Sequence, residues 1–251
     1  MYTVSWHRTC AAMLALCLGL FGFVAGADAQ RSSDGLLALY GFDEGSGSVV
    51  RDVSNVGSAL DLTIHDANRV SWLNDGLRVD SSTLIASPNA ATKLTDAIKA
   101  SGALTFEAWV TPTRTNQRGP ARIVTLSTDS GNRNATLGAD NSRYVMRLRT
   151  TSVSNNGMPS LDAASGSLKA QRAHVVYTRD ASGNAKIFVD GLEIKGGTKS
   201  GSLSNWNGSY RFGLGNEIHA SRPWLGTYHL VAVYDRALTS AEVQSHFAAG
   251  P

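Results

Sequence analysis

Glu107 is the one acid in the run Leu104 to Thr111, where its period-two neighbours are Thr105, Trp109 and Thr111. Glycoside hydrolysis ordinarily needs two carboxyl groups about 5–10 Å apart across the scissile bond. In a strand, that requirement puts acids at i, i+2 or i+4 on one face. Glu107 has no such companion, and a lone strand carboxylate more commonly pairs with an arginine or a backbone group. A polysaccharide lyase would draw on clustered Arg, His and Tyr, of which Arg147, Arg149, His174 and Tyr177 form a loose echo. An enzyme built on this chain would therefore have Glu107, Arg147, Arg149 and His174 as its cleft.

Binding chemistry has a clearer pattern. Arg143, Val145, Arg147 and Arg149 alternate with Tyr144, Met146 and Leu148. Period two gives the arginines one face and turns the other toward a core. Guanidinium groups offer forked donors to hydroxyls, carboxylates or sulfates. The commoner use of such charges is to keep an exposed sheet from aggregating. Trp206, between Asn205 and Asn207, reads as an exposed loop ring on which a sugar could stack, whereas Trp109 and Trp224 lie in β-patterned runs and read as core. Arg147, Arg149 and Trp206 are the expected ligand-binding residues.

Several other chemistries are excluded. Both cysteines, Cys10 and Cys17, lie near the N-terminus, so residues 30–251 contain no thiol. His65, His174, His219, His229 and His246 are too widely spaced in sequence to suggest a zinc pair. No Gly-x-Ser-x-Gly elbow or phosphate-binding glycine loop occurs. The formal net charge of +3 gives no field of the kind a nucleic-acid binder shows, so no nucleic-acid partner is expected.

These residues need a β scaffold. The 251 residues are 42% hydrophobic and 17% charged, with 25 Gly and 6 Pro, which rules out a wholly disordered chain. Low charge with many Gly, Ser, Thr and Asn also argues against coiled coils and helical repeats. Strand-like runs recur at 36–40, 60–64, 76–80, 105–111, 122–127, 143–149, 173–178, 185–189, 210–214 and 227–234. About ten such runs exceed an immunoglobulin sandwich of ~100 residues and suggest a larger two-sheet jelly roll. A helix is expected from Asn89 to Ala100, stopped by Ser101-Gly102. A second begins at Thr239, where Glu242 completes a capping box and Val243 and Phe247 form an i, i+4 apolar pair.

The N-terminus has its own logic. His7 and Arg8 precede a run rich in Leu, Ala, Phe and Val that ends at Ala27-Asp28-Ala29. This describes a secretory signal peptide over residues 1–29, cut after Ala29, rather than a membrane anchor, for which the run is short. The expected mature chain is one exported domain, residues 30–251, extracellular or periplasmic, without disulfides and with no membrane span after cleavage.

Three separated blocks then resemble the LamG-like, concanavalin A-like jelly-roll family. The first is Leu39-Tyr40-Gly41-Phe42-Asp43-Glu44-Gly45-Ser46-Gly47 with Arg51-Asp52-Val53-Ser54, and the second is Leu104-Thr105-Phe106-Glu107-Ala108-Trp109-Val110-Thr111-Pro112. The third joins His174-Val175-Val176-Tyr177-Thr178-Arg179 and Ile187-Phe188-Val189-Asp190-Gly191 to the ending from Leu225 to Leu238. The resemblance implies an all-β, two-sheet antiparallel jelly-roll sandwich with one or two short helices. It also implies carbohydrate or protein binding, but no single activity, since one scaffold hosts lectins, adhesion modules and polysaccharide-cleaving enzymes. The Glu-x-Asp-x-Glu pattern of the glucanase relatives is missing. Relatives often hold a structural calcium near the first and last strands, which makes Asp43, Asp52 and Asp235 the expected metal positions. These aspartates serve equally well as turn formers. The expected function is a non-catalytic exported module that recognises an extracellular glycan or a cell-surface or secreted protein. The competing readings are a glycoside hydrolase or lyase on the same fold and a protein-binding adhesion module.

Overall fold

The computed structural model describes residues 1–2 and 30–251. The expected leader thus lies, but for its first two residues, outside them. Among the described residues, sixteen strands and two α-helices follow one another. The first strands are β1 (Leu36–Tyr40), β2 (Val49–Val50), β3 (Leu62–Ile64), β4 (Val70–Leu73), β5 (Gly76–Val79) and β6 (Ile85–Ala86). Helix α1 (Thr92–Ser101) separates them from β7 (Leu104–Pro112), β8 (Gln117–Ser127), β9 (Arg133–Asn141), β10 (Arg143–Leu148) and β11 (Leu161–Asp162). The chain closes with β12 (Ala173–Arg179), β13 (Asn184–Val189), β14 (Leu192–Thr198), β15 (Arg211–Leu214), β16 (Gly226–Tyr234) and α2 (Ser240–Ala249).

The strands form the expected two-sheet antiparallel sandwich. The first sheet runs β14-β13-β12-β7-β16-β5-β4, with β1 also pairing to β16. The second runs β11-β10-β9-β8-β15-β6-β3-β2. Alternation decides which side chains meet between them. Phe106, Ala108 and Val110 of β7, Val175 and Tyr177 of β12, and Val231 and Val233 of β16 point inward from the first sheet. Ile123 and Leu126 of β8, Leu137 of β9, and Tyr144, Met146 and Leu148 of β10 meet them from the second. Two outer faces remain, and their contents differ.

On the first sheet, Trp109, Val176, Phe188, Leu230, Ala232 and Tyr234 make a separate apolar cluster, roofed by Leu238 and Val243. Helix α2 supplies that roof. Its capping box is present in full, with the Thr239 hydroxyl accepting from Glu242 N and Glu242 accepting from Thr239 N. Helix α1 ends at Gly102, whose left-handed backbone (φ 68°) suits the residue that lacks a Cβ. On the second sheet a β-bulge between Leu126 and Ser127 pairs Ser127 with Arg133. That extra residue returns Arg133 to the outer side, beside Ser127.

Sequence patterning missed β9 and β14, along with the short β2, β4, β6 and β11. Strand β9 is Arg-Asn-Ala-Thr-Leu-Gly-Ala-Asp-Asn, poor in β-branched residues, and β14 is an exposed edge ending in Gly-Gly-Thr. Both of these are held by neighbouring strands rather than by propensity. Among the described residues, no helix is long and apolar enough to cross a membrane.

Candidate functional site

The expected catalytic quartet does not assemble. Glu107 and His174 are diagonal neighbours on β7 and β12, where the register pairs Glu107 with Val176 and Trp109 with His174, on the outer face of the first sheet beneath α2. Arg147 lies on the outer face of the second sheet, and Arg149 follows at the end of the same strand. The sandwich separates the two pairs, because Tyr144, Met146 and Leu148 turn the β10 arginines away from the core.

Glu107 is wholly buried, and both of its oxygens are occupied. Oε1 accepts from His174 Nε2 at 2.8 Å and from the Arg31 guanidinium. Oε2 accepts from His246 Nδ1 at 3.0 Å and from the Tyr234 hydroxyl at 3.4 Å. Ser32 N–H donates to His246 Nε2 at 2.8 Å, so the proton of that ring is on Nδ1, facing Glu107. Arg31 also donates to Gly250 O at 2.7 Å, joining the two ends of the described domain. Burial alone would raise the Glu107 carboxyl pKa; the bonds from His174 and His246 and the Arg31 charge outweigh it and hold the group well below the usual carboxylate range. A general acid requires the reverse shift and a path to substrate. Trp109, His174 and Phe247 stack mutually beside it, with ring centroids 4.8, 5.6 and 6.1 Å apart, and Glu107 and His174 are fully buried. Glu107 is thus the arginine-paired strand acid, serving as a buried clasp.

The outer face of the second sheet has another character. Three rows cross its strands in register: Arg122–Gly138–Val145, Thr125–Thr136–Arg147, and Ser127–Arg133. Gly138 is required where it stands, since a Cβ there would lie 2.3 Å from Ala121 O. Thr125 Oγ1 meets Thr136 Oγ1 at 2.7 Å and Ser127 Oγ at 3.0 Å. Glu217, from the turn after β15, reaches over this centre. Its Oε2 takes Arg122 Nε at 2.8 Å and Nη2 at 2.7 Å, and its Oε1 takes the Ser127 hydroxyl and Ile218 N.

That pair gives one arginine of several a counter-ion, although Arg122 Nη2 has no acceptor in hydrogen-bond geometry. Arg133 is entirely buried, and its Nη2 donates to Ser130 O, but its Nε and Nη1 have no partner. Arg147, half-buried, donates from Nη1 to Asn156 Oδ1 at 3.1 Å and leaves Nε unpaired. The buried Nε of Arg149 is likewise unpaired. Burial pushes the Arg133 guanidinium down to about 9, with the charges of Arg122 and Arg147 adding to the effect. Beside this face Arg114, Arg118 and Arg222, all exposed, line a depression of about 380 Å3 with Asn116, Gln117 and Ser221. Charge from Arg222 reaches both Arg122 and Arg147.

One expectation needs correction. Trp206 is only 2% exposed: it packs into the main core and donates from Nε1 to Arg149 O at 2.8 Å. It supports the arginine strand from below and offers no ring to a sugar. Its polar asparagine neighbours are turn formers, Asn207 exchanging hydrogen bonds with Asn134. The aspartates named for calcium do not form a ligand set. Asp52 is buried, its Oδ1 accepting from Leu39 N and Ser54 N and its Oδ2 from Leu60 N and Lys93 Nζ at 2.7 Å. An ammonium thus stands where a cation would. Asp43 is exposed, and Asp235 sits beside Gly35 and Arg236. Among the described residues, no three His, Cys, Asp or Glu side chains converge on an ion position.

Sequence reasoning did not single out Arg122, Arg133 and Glu217. The strand from Arg122 was legible, but the bulge that places Arg133 and the turn that brings Glu217 back across it are products of the fold.

A family model described as the concanavalin A-like lectin/glucanases superfamily matches residues 85–244. A comparison with curated proteins finds no match. Among solved structures, Trypanosoma rangeli sialidase in complex with the inhibitor DANA is similar with a TM-score of 0.63 and 19% identity, over 89% of this chain and 34% of that one. The same sialidase in complex with sialic acid gives 0.62 and 19%, over 85% and 33%. Domain 4 of a GH43 extracellular arabinanase from Geobacillus stearothermophilus, in complex with arabinotriose, gives 0.57 and 17%, over 85% of this chain and 98% of that one. The chain thus spans about a third of the sialidase chains and nearly all of the arabinanase domain. Identities this low establish a shared fold, while the family match covers well over half of the sequence. The chain belongs to the concanavalin A-like lectin/glucanases superfamily.

Proposed function

We propose that the protein is an exported, non-catalytic binding module that takes an acidic glycan on the outer face of the second sheet. The observation that carries this reading is the arginine band itself. Arg147 and Arg149 are half-exposed on the face, Arg114, Arg118 and Arg222 rim the adjoining depression, and the buried carboxylate of Glu217 is already committed to Arg122. Forked donors with unspent N–H groups suit carboxylate or sulfate substituents better than neutral hydroxyls. A saccharide ligand is in keeping with the arabinotriose-bound domain and the sialic acid-bound sialidase of the same fold. Glu107 speaks against the hydrolase alternative, because its carboxylate is enclosed, ionised and fully bonded.

The test is binding of the purified protein to polygalacturonate, chondroitin sulfate and neutral arabinan, at low and physiological salt. The acidic polymers should bind, and bind more weakly as salt screens the exposed charges over a Debye length of about 8 Å. Replacing Arg147 and Arg149 together by Ala should weaken that binding without unfolding the protein. No new reducing ends or unsaturated products should accumulate. Product formation, or equal binding of arabinan that survives the double substitution, would overturn the reading.

A further inference from the structure

The arginine face also contains a more particular feature. Arg133 is buried on the outer side of β9, put there by the bulge opposite Ser127, and two of its donor nitrogens face no acceptor. The nearest acids are spent elsewhere. Glu217 is held by Arg122 and Ser127. Asp129 accepts from Gly131 N at 2.7 Å, Asn132 N at 2.8 Å and the Asn132 side-chain amide. A buried cation normally has a counter-ion and filled hydrogen bonds, because leaving its water shell otherwise goes uncompensated. Arg122, although its Nη2 also lacks an acceptor, has the Glu217 carboxylate as counter-ion on the same face, and Arg133 has no carboxylate in contact among the described residues.

Neighbouring geometry supplies the rest of a site. Arg147 stands across from Thr136, one row along from Arg133, with its Nε also unspent. The segment 151–158 packs over this end of the sheet, with Asn155 O accepting from Arg133 N at 3.0 Å and Asn156 Oδ1 accepting from Arg147. Gly157 presses onto the strand so closely that a Cβ would lie 2.7 Å from Leu148 N and 3.0 Å from Arg147 Cβ. Arg147 and Arg149, half-exposed, give the solvent-facing approach.

We propose that Arg133 and Arg147, with Arg149 at the entrance, form a discrete oxyanion subsite that receives one carboxylate or sulfate substituent of a sugar. The subsite rests on the acidic-glycan reading and makes it local: one residue of the bound chain is anchored here by paired guanidinium forks, and the rest of the chain crosses the rim. The downward push that burial and its arginine neighbours exert on Arg133 has the same origin and is relieved by a bound anion.

Inorganic sulfate and sodium acetate are the probes, one for each source of the oxyanion. Thermal unfolding of the full protein is followed as each is added at constant ionic strength against chloride. The expected result is a saturable rise in melting temperature at millimolar anion, as for any ligand that binds only the folded state. The general salting-out effect of sulfate is instead linear and non-saturating. A larger saturable effect with sulfate identifies a sulfate ester as the natural group; a larger one with acetate identifies a uronate-type carboxylate. Arg147→Gln should weaken the apparent affinity at least tenfold, and Arg133→Gln should remove saturation. If Arg133→Gln does not fold, Arg147→Gln and Arg149→Gln carry the test. A linear rise identical in the wild type and Arg147→Gln would overturn the subsite. Acidic glycan bound without any saturable anion effect would leave the face and remove the subsite. A saturable anion effect without glycan binding would leave the subsite and remove the glycan reading.

Discussion

The two outer faces of this sandwich bury charge in opposite ways. On the first sheet, Glu107 has Arg31, His174, His246 and Tyr234 around it, and helix α2 seals the group from water. On the second, Arg133, Arg147 and Arg149 retain donors that nothing among the described residues accepts. The first face has its carboxylate bonded at both oxygens, although His174 Nδ1 and Trp109 Nε1 beside it lack partners. Those guanidinium groups of the second have no carboxylate to themselves and so have capacity left for one. On the proposed reading, the first face holds the molecule together and the second recognises the ligand.

The contrast is broken most severely at Glu107. Glu107→Gln puts an amide against the His246 N–H and strips Arg31 of its counter-charge. Breaking one partner of a buried ion pair costs about 3–5 kcal/mol. The denaturation midpoint should fall accordingly, while the protein that remains folded binds acidic glycan as before. Loss of binding with unchanged stability would invert the assignment of the two faces.

Trp206→Ala is expected to be nearly as damaging, at about 3–5 kcal/mol for a large core aromatic. It tests whether the ring is a support or a platform. A stable variant that fails to bind sugar would restore the stacking role.

On the other face, Arg147→Ala with Arg149→Ala should leave stability within about 1 kcal/mol of the parent, because it removes mutually repelling charges along with one bond to Asn156. Acidic-glycan affinity and its salt dependence should both drop. The readouts are a melting curve and a titration at two ionic strengths.

The smallest expected effect lies in the clasp's own cap. Glu242 is held at about 2 by hydrogen bonds from Arg236, with Thr239 adding to them and partial burial opposing. A carboxyl depressed in the folded state contributes stability that is complete above its ordinary value of 4.5 and is lost as pH falls toward about 2. Glu107, displaced further, should persist to lower pH still. Thr239→Ala should cost about 1 kcal/mol at neutral pH. An acid-unfolding profile that the Thr239 substitution leaves unshifted would exclude the cap from the clasp.

Much of this arrangement was readable before any coordinates. Alternation at Tyr144, Met146 and Leu148 gave the inward side of β10 and so the outward side of Arg147. Thr239 and Glu242 announced α2, and the missing acidic companion of Glu107 argued against a hydrolytic pair. What could not be read depended on long-range closure. His246 stands 139 positions from Glu107, and Arg31 stands 76 from it, so no local spacing signals their meeting. The bulge at Leu126 and Ser127 shifts Arg133 between faces, which period-two counting does not detect. Trp206 misled because its asparagine neighbours look solvated, whereas they bond the backbone around a buried ring.

The most direct test of the assignment is amide hydrogen exchange of the wild-type protein with and without saturating polygalacturonate or chondroitin sulfate. Protection on binding should concentrate in β8, β9 and β10 and in the segment 151–158, with α2 and residues 30–36 exchanging as they do in the free protein. Protection centred instead on α2 and the strands carrying Glu107 and His174, with the arginine strands unchanged, would contradict the account.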